Sequence, residues 1–275
     1  MTGEIGNPAA SMLEWWRTAI TEISPEAIRV RGYGIEQLIG NIGFVDMLWL
    51  LLRGDLPTPA HSRLLEAVLI GGAVHGPHAP SIAIARMAVT CGVGVNQAIG
   101  QGAAVLGDVH GGAVEQCMEL FAALPPGASH DTVANAIDQA GAFVPGFGHR
   151  VHRNGDPRTP RLLALADAAR SEGGVKGWHV DNARAVERVL AKRKGRTVPM
   201  NLDGAAAAIF LELGFMPPVG RGLIVVARSI GILANVWEEM EQGGRLKGPV
   251  PRGAGYRYTG PASRPVPDDF GQEPD

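Results

Sequence analysis

Four short segments rich in glycine or proline contain the residues whose types and spacing could do chemistry. They read AVHGPHAPS around His75 and His78, GDVHGGAVE around His110, PGFGHRVHRNGDPR around His149, and PMNLDGAAAAIF around Asp203. Glycine lets the backbone approach a ligand closely, and a helix that begins beside such a loop directs its amides outward. Histidine and aspartate in these positions suit acid–base chemistry on a bound molecule.

Arginines cluster around the third segment and recur in an apolar stretch near the end of the chain. An arginine among valine, alanine and isoleucine is costly to bury unless it meets an anion there. A planar guanidinium binds a carboxylate in bidentate fashion. The sequence therefore predicts a ligand with several carboxylates or phosphates. The arginines are Arg150, Arg153, Arg158, Arg161 and Arg228.

Simpler interpretations exist for some of these residues. HGPH and HRVH are both His-x-x-His pairs, which could together ligate zinc. Both pairs lie in Gly/Pro loops, and Arg150 and Arg153 put positive charge beside the second pair, so we predict no metal. Asp203 alone could be the N-cap of the helix that begins at Gly204. The basic run 192–196 could be a solvated helix end.

The composition is that of an ordinary globular protein. The 275 residues are 45% hydrophobic and 19% charged, with a net charge of -2, so no basic excess indicates nucleic acid. Cys91 and Cys117 are the two cysteines and form no CxxC pair, so a disulfide framework is not expected. The N-terminus lacks a secretory pattern, and the apolar run 44–52 is too short to span a bilayer. We predict a cytoplasmic protein without membrane partners.

Helical periodicity dominates the elements that must position these residues. Residues 18–33 alternate around a Ser-Pro turn and predict a short β-hairpin, after which one helix follows another with no βαβ alternation and no repeat. Residues 81–106 are apolar nearly all round, which predicts helices buried inside the molecule or across a subunit interface. Beyond Gly248 the chain is rich in Pro and Gly and predicts an extended tail.

Four motifs in this order resemble citrate synthase. The resemblance is closer still to citryl-CoA lyase and the citryl-CoA-cleaving domain of ATP-citrate lyase, through TAITE, RGYGIEQL and HGPHAPS in the N-terminal part, and it covers about residues 18–260. The four motifs are HGGA at 110–113, PGFGHRV with DPR at 145–158, NLDG at 201–204 and ARSIG at 227–231.

The resemblance implies an all-α, citrate synthase-like fold with a large and a small helical domain. The large domain would comprise residues 1–124 and 216–275, the latter with a C-terminal arm, and the small domain residues 125–215. It also implies a homodimer or a higher homo-oligomer whose subunits share the active sites, with residues 81–106 in the dimer core.

The activity that the resemblance implies is cleavage of citryl-CoA to acetyl-CoA and oxaloacetate. His149 would be the general base for the central hydroxyl group, His110 would stabilise the thioester enolate oxygen, and Asp203 would protonate the enolate carbon. No cofactor would be bound permanently, because coenzyme A is part of the substrate. The oxaloacetate end would contact His75, Arg158 and Arg228, and the coenzyme A phosphates would contact Arg153, Lys192, Lys194 and Arg196.

Other functions stay open at this point. A citrate synthase-type enzyme would condense the same products and hydrolyse the thioester, and His110 is a synthase-like feature. Against it, the chain is shorter than most citrate synthases, and Gly76 stands where they commonly have glutamate. A relative that acts on another hydroxy-acyl-CoA, or a catalytically silent acyl-CoA-binding subunit, would use the same scaffold.

Overall fold

A computed structural model describes residues 14–141, 143–251, 253–267 and 270, and it is mostly helical. The prediction of an all-α fold is thereby confirmed. The strands are β1 (Thr21–Ile23), β2 (Ile28–Val30) and β3 (Tyr33–Gly34). The helices are α1 (Ile35–Leu38), α2 (Phe44–Arg53), α3 (Pro59–Ala73), α4 (Pro80–Thr90), α5 (Val95–Ala104), α6 (Ala113–Ala122), α7 (His130–Ala140), α8 (Arg158–Ser171), α9 (Trp178–Lys194), α10 (Leu202–Glu212) and α11 (Pro217–Glu241).

The predicted hairpin is present and carries a third short strand. The order is β1-β2-β3, antiparallel throughout, with Thr21 opposite Val30. The sheet packs through Val30 against Leu38 and Leu50 in a small core of its own. The Arg31 guanidinium donates to the Leu51 carbonyl at 2.7 Å and so ties the sheet to α2.

Local signals in the sequence account for several helix ends. Thr58 caps α3 by accepting the His61 amide, and Ser129 caps α7 by accepting the Thr132 amide. Helix α2 ends at Gly54 and α9 at Gly195, both in the left-handed conformation that glycine adopts without strain.

Helix α11 is the central element of the fold. It contacts α3, α4, α5 and α6. By length and composition alone, with a mean hydropathy of 1.5, it could cross a membrane, but a buried core helix of a globular protein can pass the same test. Its buried residues include Arg228 and Glu239, so charge is placed inside the molecule. Such charges need partners. Glu239 has two cations beside it, whereas Arg228 donates to a neutral backbone carbonyl, that of Gly72.

Glu239 belongs to a cluster of ion pairs at the C-terminal end of α11. The buried Arg86 of α4 donates to its carboxylate at 2.6 Å, and the Lys247 ammonium lies 2.7 Å from the same oxygen. The Lys247 amide donates to the Thr90 hydroxyl at 3.0 Å. These bonds hold residues 246–247 on α4. Among the described residues beyond Gly248 there is no helix or strand, as predicted for a tail.

The main hydrophobic core is continuous across the predicted large and small domains. It contains Leu120 from the first part, Val133 and Phe210 from the second, and Leu223 from the third. The division at residues 124 and 215 stays a prediction. The alanine-rich part of α10 that follows Asp203 is wholly buried in this core.

Residues 81–106 form α4 and α5, and their apolar side chains pack within the chain. Ile82, Ala85 and Ala98 contact Ile232 and Val236 of α11 in a second core cluster. One chain is therefore sufficient to explain the apolar pattern, and the dimer core at 81–106 stays a prediction. The large apolar side chains that α11 exposes are Val226, Ile230, Leu233, Trp237 and Met240.

Two glycines of α11 provide a matched test of this packing. A Cβ at Gly231 would collide with the Ala73 carbonyl oxygen at the end of α3, whereas a Cβ at Gly222 would meet nothing within 4 Å. We expect Gly231→Ala to lower the free energy of unfolding by about 1–3 kcal/mol, as overpacking does. Gly222→Ala should raise it by up to about 1 kcal/mol, because alanine favours a helix. Urea unfolding followed by circular dichroism measures both, and a shift in the same direction would contradict the packing described.

Candidate active site

A cavity of about 1350 Å³ lies between α3, α6, α10 and α11 and the loop that precedes α8. It brings together residues that are up to 154 positions apart in the chain, from five separate segments. Every residue predicted to be catalytic or to bind the oxaloacetate end lines this cavity. They are His75, His110, His149, Arg158, Asp203 and Arg228.

Close approach of backbone at two glycines brings the His149 loop to α10. Gly146 has φ +79°, and a Cβ there would collide with the Cys117 sulfur and would lie 2.9 Å from the Gly204 Cα. A Cβ at Gly204 would in turn lie 2.6 Å from the Gly146 carbonyl oxygen. The Cys117 thiol donates to the Pro145 carbonyl at 2.8 Å, and its burial raises its pKa. Gly146 of PGFG and Gly204 of NLDG are therefore needed, because a side chain at either position would prevent this packing.

Asn201 caps α10 and joins it to the same loop. Its side-chain oxygen accepts the Asp203 amide at 2.9 Å and the Gly204 amide at 3.3 Å. Its side-chain nitrogen donates to the Gly148 carbonyl at 2.7 Å. The alternative that Asp203 is the N-cap is therefore wrong, because Asn201 occupies that position. The Asp203 carboxyl group is left to line the cavity.

The environment of Asp203 favours its protonated form. Burial raises the pKa of this carboxyl group, because a charged form is poorly solvated inside the protein. The positive charges of Arg228 and Arg158 oppose that effect. A carboxyl group in this situation can give up a proton as well as take one.

Asp156 is 2% exposed and binds the first residue of both α8 and α10. Its carboxylate accepts Arg158 Nε at 2.9 Å, Arg158 Nη2 at 2.7 Å and the Leu202 amide at 3.2 Å. Burial acts to raise its pKa, but these bonds and the Arg158 charge outweigh burial and bring the pKa to about 2. Asp156 thus fixes Arg158 on one side and the residue before Asp203 on the other.

Two of the arginines that line the cavity, Arg158 and Arg228, bind the last turn of α3. Arg158 Nη1 donates to the Gly71 carbonyl at 3.0 Å, and Arg228 Nε donates to the Gly72 carbonyl at 2.9 Å. Cations are favourable at this end of a helix because its carbonyl groups lack partners within the helix. Arg228 is 6% exposed, and burial lowers the pKa of its guanidinium. The predicted anion site is therefore built on the C-terminal end of α3.

His110 is held as a neutral hydrogen-bond donor. Its Nε2 accepts the Ser81 backbone amide at 3.2 Å and lies 3.1 Å from the Ser81 hydroxyl oxygen. Because Nε2 is the acceptor, the proton of the neutral ring is on Nδ1. Burial and the Arg228 charge lower the pKa of the imidazole, which keeps it uncharged. A neutral N–H of this kind suits an oxygen on which negative charge develops.

The Nδ1 atom of His149 accepts two backbone amides of its own loop. They are the Val151 amide at 3.0 Å and the His152 amide at 2.9 Å. The proton of the neutral ring is therefore on Nε2. Burial and the neighbouring His152 lower the pKa. The general-base role of His149 stays a prediction, and it requires the ring proton to move to Nδ1, which would break the bonds from these two amides.

His75 shows the opposite arrangement. Its Nδ1 lies 3.1 Å from the Val74 carbonyl oxygen, which can only accept, so Nδ1 carries the proton and Nε2 has a free lone pair. Burial, then the charge of Arg228, lowers the pKa of His75 to about 4. His75 is therefore neutral at physiological pH and presents a proton acceptor.

The residues predicted to bind coenzyme A lie outside the cavity lining. Arg153 is exposed in the turn before α8, and the basic run is exposed at the end of α9. Within that run Arg193 donates to the Asp138 carboxylate at 2.7 Å, so it has a structural role. The following segment 197–200 leads directly to Asn201 at the cavity. Contact with coenzyme A stays a prediction for Arg153, Lys192, Lys194 and Arg196.

The zinc alternative would need ligands that converge. Among the residues that the structure describes, no group of three or more His, Cys, Asp or Glu side chains could hold a metal ion. The His149 and His152 rings are 4.5 Å apart, beside Arg150 in the cavity lining.

Three residues of the site escape prediction from the sequence. Asp156 and Asn201 stand within the motifs DPR and NLDG, and the preference of asparagine for helix N-caps is a signal that could have identified Asn201. Ser81 has no such signal, because it lies 29 residues from the histidine that it orients.

Comparisons with known proteins agree on one family for this chain. The model of the citrate synthase C-terminal domain matches residues 57–249. Citrate synthase 2 of Bacillus subtilis is 26% identical over 222 residues, which are 80% of this chain and 56% of that protein. The chain thus spans about half the length of the curated relatives it matches.

Two solved structures resemble the chain over nearly all of it. Citryl-CoA lyase from Hydrogenobacter thermophilus has a TM-score of 0.84 and 32% identity, covering 93% of this chain and 98% of that one. ATP citrate lyase from Methanothrix soehngenii, in complex with citrate and coenzyme A, has a TM-score of 0.77 and covers 93% of this chain and 44% of that one. At 21% identity the second likeness concerns the fold.

The Asp156 interactions predict a pH-dependent contribution to stability. Since the pKa is lowered from 3.8 to about 2, the stabilisation is complete above pH 4 and is lost as the pH falls through about 2. We expect Asp156→Asn to lower the free energy of unfolding at pH 7 by roughly 2 kcal/mol, with a smaller difference at pH 3. Urea titrations at both pH values measure it. Asp138→Asn, which alters an exposed pair with Arg193, is the control and should change little. A difference between wild type and Asp156→Asn that does not shrink at pH 3 would contradict this account.

Proposed function

The chain belongs to the citrate synthase family, and we propose that within this family it is a citryl-CoA lyase, which cleaves citryl-CoA to acetyl-CoA and oxaloacetate. The family model matches most of the chain. The likeness to citryl-CoA lyase from Hydrogenobacter thermophilus, at 32% identity and over 98% of that chain, supports the choice of activity.

The observation that carries the acid–base chemistry of this proposal is the combination of three groups in one cavity. Arg228 is buried and needs an anion, His110 is a neutral donor, and Asp203 is a carboxyl group with a raised pKa. Arg228 and Arg158 would bind the carboxylates of the oxaloacetate end, since each guanidinium keeps N–H groups beyond those bound to α3 and Asp156.

The bond to be broken joins the central carbon to the methylene group of the thioester. Its electron pair passes to the thioester, whose oxygen becomes an enolate oxygen, and His110 Nδ1–H would donate to that oxygen. Asp203 would then give a proton to the enolate carbon and produce acetyl-CoA. The raised pKa of Asp203 increases the fraction of enzyme that holds this proton. His149 would take the proton of the hydroxyl group on the central carbon, so that this oxygen becomes the carbonyl oxygen of oxaloacetate.

The surroundings of the reaction are part of the proposal. Arg153 and the basic run at the end of α9 would contact the coenzyme A phosphates, and no cofactor would be bound permanently. The enzyme would work in the cytoplasm as a homodimer or a higher homo-oligomer. The apolar side chains exposed along α11 favour association, since isolated globular proteins seldom expose such a row.

A citrate synthase is the second candidate, because the curated relatives are citrate synthases. It would use the same cavity to condense acetyl-CoA with oxaloacetate or a related 2-oxo acid. The difference is whether water reaches the bound citryl thioester and hydrolyses it. The three groups named above serve both reactions.

Product analysis of one purified sample with citryl-CoA distinguishes the two. We expect oxaloacetate, followed through malate dehydrogenase, without matching release of coenzyme A thiol, because a lyase leaves the thioester intact in acetyl-CoA. Thiol and citrate without oxaloacetate would instead indicate a synthase. If neither product forms, a binding protein on the same scaffold would be the remaining candidate. Incubation with EDTA should change nothing, and a loss of activity would revive the zinc alternative.

Substitution of Asp203 tests its role as the acid. Asp203→Asn should lower kcat for citryl-CoA by about 10²–10⁴-fold, because the amide cannot give a proton to the enolate carbon. The fold should persist, since Asn201 caps α10. Asp131→Asn, at an exposed position of α7, is the matched control. Full activity of Asp203→Asn in the same assay would refute the assignment.

A further inference from the structure

Two apolar side chains, Leu202 and Ile224, form a floor of the cavity at the end of α3. Both line the cavity, and they are only 4% and 3% exposed. A Cβ at Gly71 would lie 3.1 Å from Leu202 Cδ1, and a Cβ at Gly72 would lie 3.5 Å from Ile224 Cδ1. The carbonyl groups of the same two glycines hold the two arginines that would bind the substrate carboxylates. The floor therefore lies beside the place where the acid part of the substrate would bind.

The other apolar side chains of this region do not share that position. Among the described residues, the further side chains within 4 Å of a Cβ at either glycine are those of Leu162 and Ala227, which do not line the cavity. Phe147 lines it but packs edge-on against Phe121. The remaining large apolar side chains of the lining are at least 67% exposed and belong to its open side. They are Val74, Val109, Phe143 and Val151.

We propose that this floor selects the length of the substrate's acid part: it admits the four-carbon unit that leaves as oxaloacetate and rejects a unit longer by one methylene group. This inference rests on the proposed function and names the acid that the site accepts.

The fixed positions of the arginines make the floor selective. Each guanidinium donates to a backbone carbonyl, and Arg158 is also bound to the Asp156 carboxylate, so neither can follow a displaced substrate carboxylate. An additional methylene group between two carboxylates held in this way has to bulge out of line. The floor blocks a bulge on its side, because both of its side chains belong to the main hydrophobic core and cannot recede. A bulge on the open side would move the central carbon away from its catalytic groups.

A longer substrate measures this selection directly. Homocitryl-CoA has one more methylene group in its acid part and would yield 2-oxoglutarate. One methylene group in an apolar pocket changes kcat/KM by about 10–200-fold. We therefore expect the wild-type enzyme to cleave homocitryl-CoA with a kcat/KM at least about tenfold below that for citryl-CoA.

Substitutions that remove one carbon from the floor should relax the selection. Ile224→Val removes the Cδ1 atom that lies against Gly72, and Leu202→Val removes one carbon beside Gly71. The ratio of kcat/KM for homocitryl-CoA to that for citryl-CoA should rise about tenfold or more in Ile224→Val, because the lost carbon leaves room for the added methylene group. Leu202→Val should change the ratio in the same direction. Malate dehydrogenase reports oxaloacetate and glutamate dehydrogenase reports 2-oxoglutarate in coupled assays.

The chain offers a matched control for the loss of a carbon from the core. Ile232→Val makes the same change in the same helix, at a side chain that is fully buried in the second core cluster and does not line the cavity. The ratio should stay within about twofold of wild type there. Such a substitution costs little stability, so the variants should remain folded, which thermal unfolding checks.

A second substrate analogue controls for general loosening of the cavity. In 2-methylcitryl-CoA the additional carbon is on the methylene group beside the thioester, away from the two carboxylates that the arginines would bind. Its kcat/KM relative to citryl-CoA should change less than about threefold in both floor variants.

The outcomes separate the two proposals. If the wild-type enzyme releases no oxaloacetate from citryl-CoA, the proposed function fails, and length selection fails with it. If it cleaves citryl-CoA and homocitryl-CoA equally well, only the role of the floor is overturned. An unchanged ratio in both floor variants, an equal rise in Ile232→Val, or an equal gain with 2-methylcitryl-CoA would also overturn that role alone. A rise in either floor variant that is confined to homocitryl-CoA would support it.

Discussion

The guanidinium of Arg228 lies inside the molecule, and the chemistry around it depends on that buried charge. One backbone carbonyl, that of Gly72, accepts from its Nε. The charge lowers the pKa values of His75 and His110 and opposes the rise in the pKa of Asp203. Burial of an arginine is costly without an anion. The site is therefore most favourable electrostatically when a carboxylate is bound, and its histidines are neutral beforehand.

The C-terminal end of α3 is the point at which the proposed anion site would be built. Arg158 and Arg228 come from different helices, and both donate to consecutive carbonyl groups, those of Gly71 and Gly72. Asp156 fixes Arg158 and also holds the Leu202 amide at the start of α10. A shift of α3 would therefore move both arginines and the adjoining His75 together, which gives the packing of Gly231 against Ala73 a functional consequence.

Periodicity in the sequence predicted the helical fold class and the hairpin. The resemblance of short motifs to a known family named six of the residues that line the cavity. The sequence did not predict what residues 81–106 pack against. An apolar helix looks the same whether it faces another subunit or a helix of its own chain, and here α4 and α5 pack on α11. From the sequence alone, Asp203 could have been the N-cap of α10. In the structure Asn201 occupies that position.

The sequence by itself determined which chemical groups are available: three histidines, an aspartate and two arginines in glycine-rich segments, on a helical scaffold. Only the tertiary structure decided what each group can do. A histidine has the same pKa and both tautomers in an unfolded chain, and its role is selected by the atoms that bind each nitrogen. For His110 the group that binds Nε2 is the amide of Ser81, 29 residues away. For His75 the charge of Arg228 helps to lower the pKa. Hydrogen bonds and Coulomb interactions act over a few ångströms of space, and distance along the chain does not reveal them.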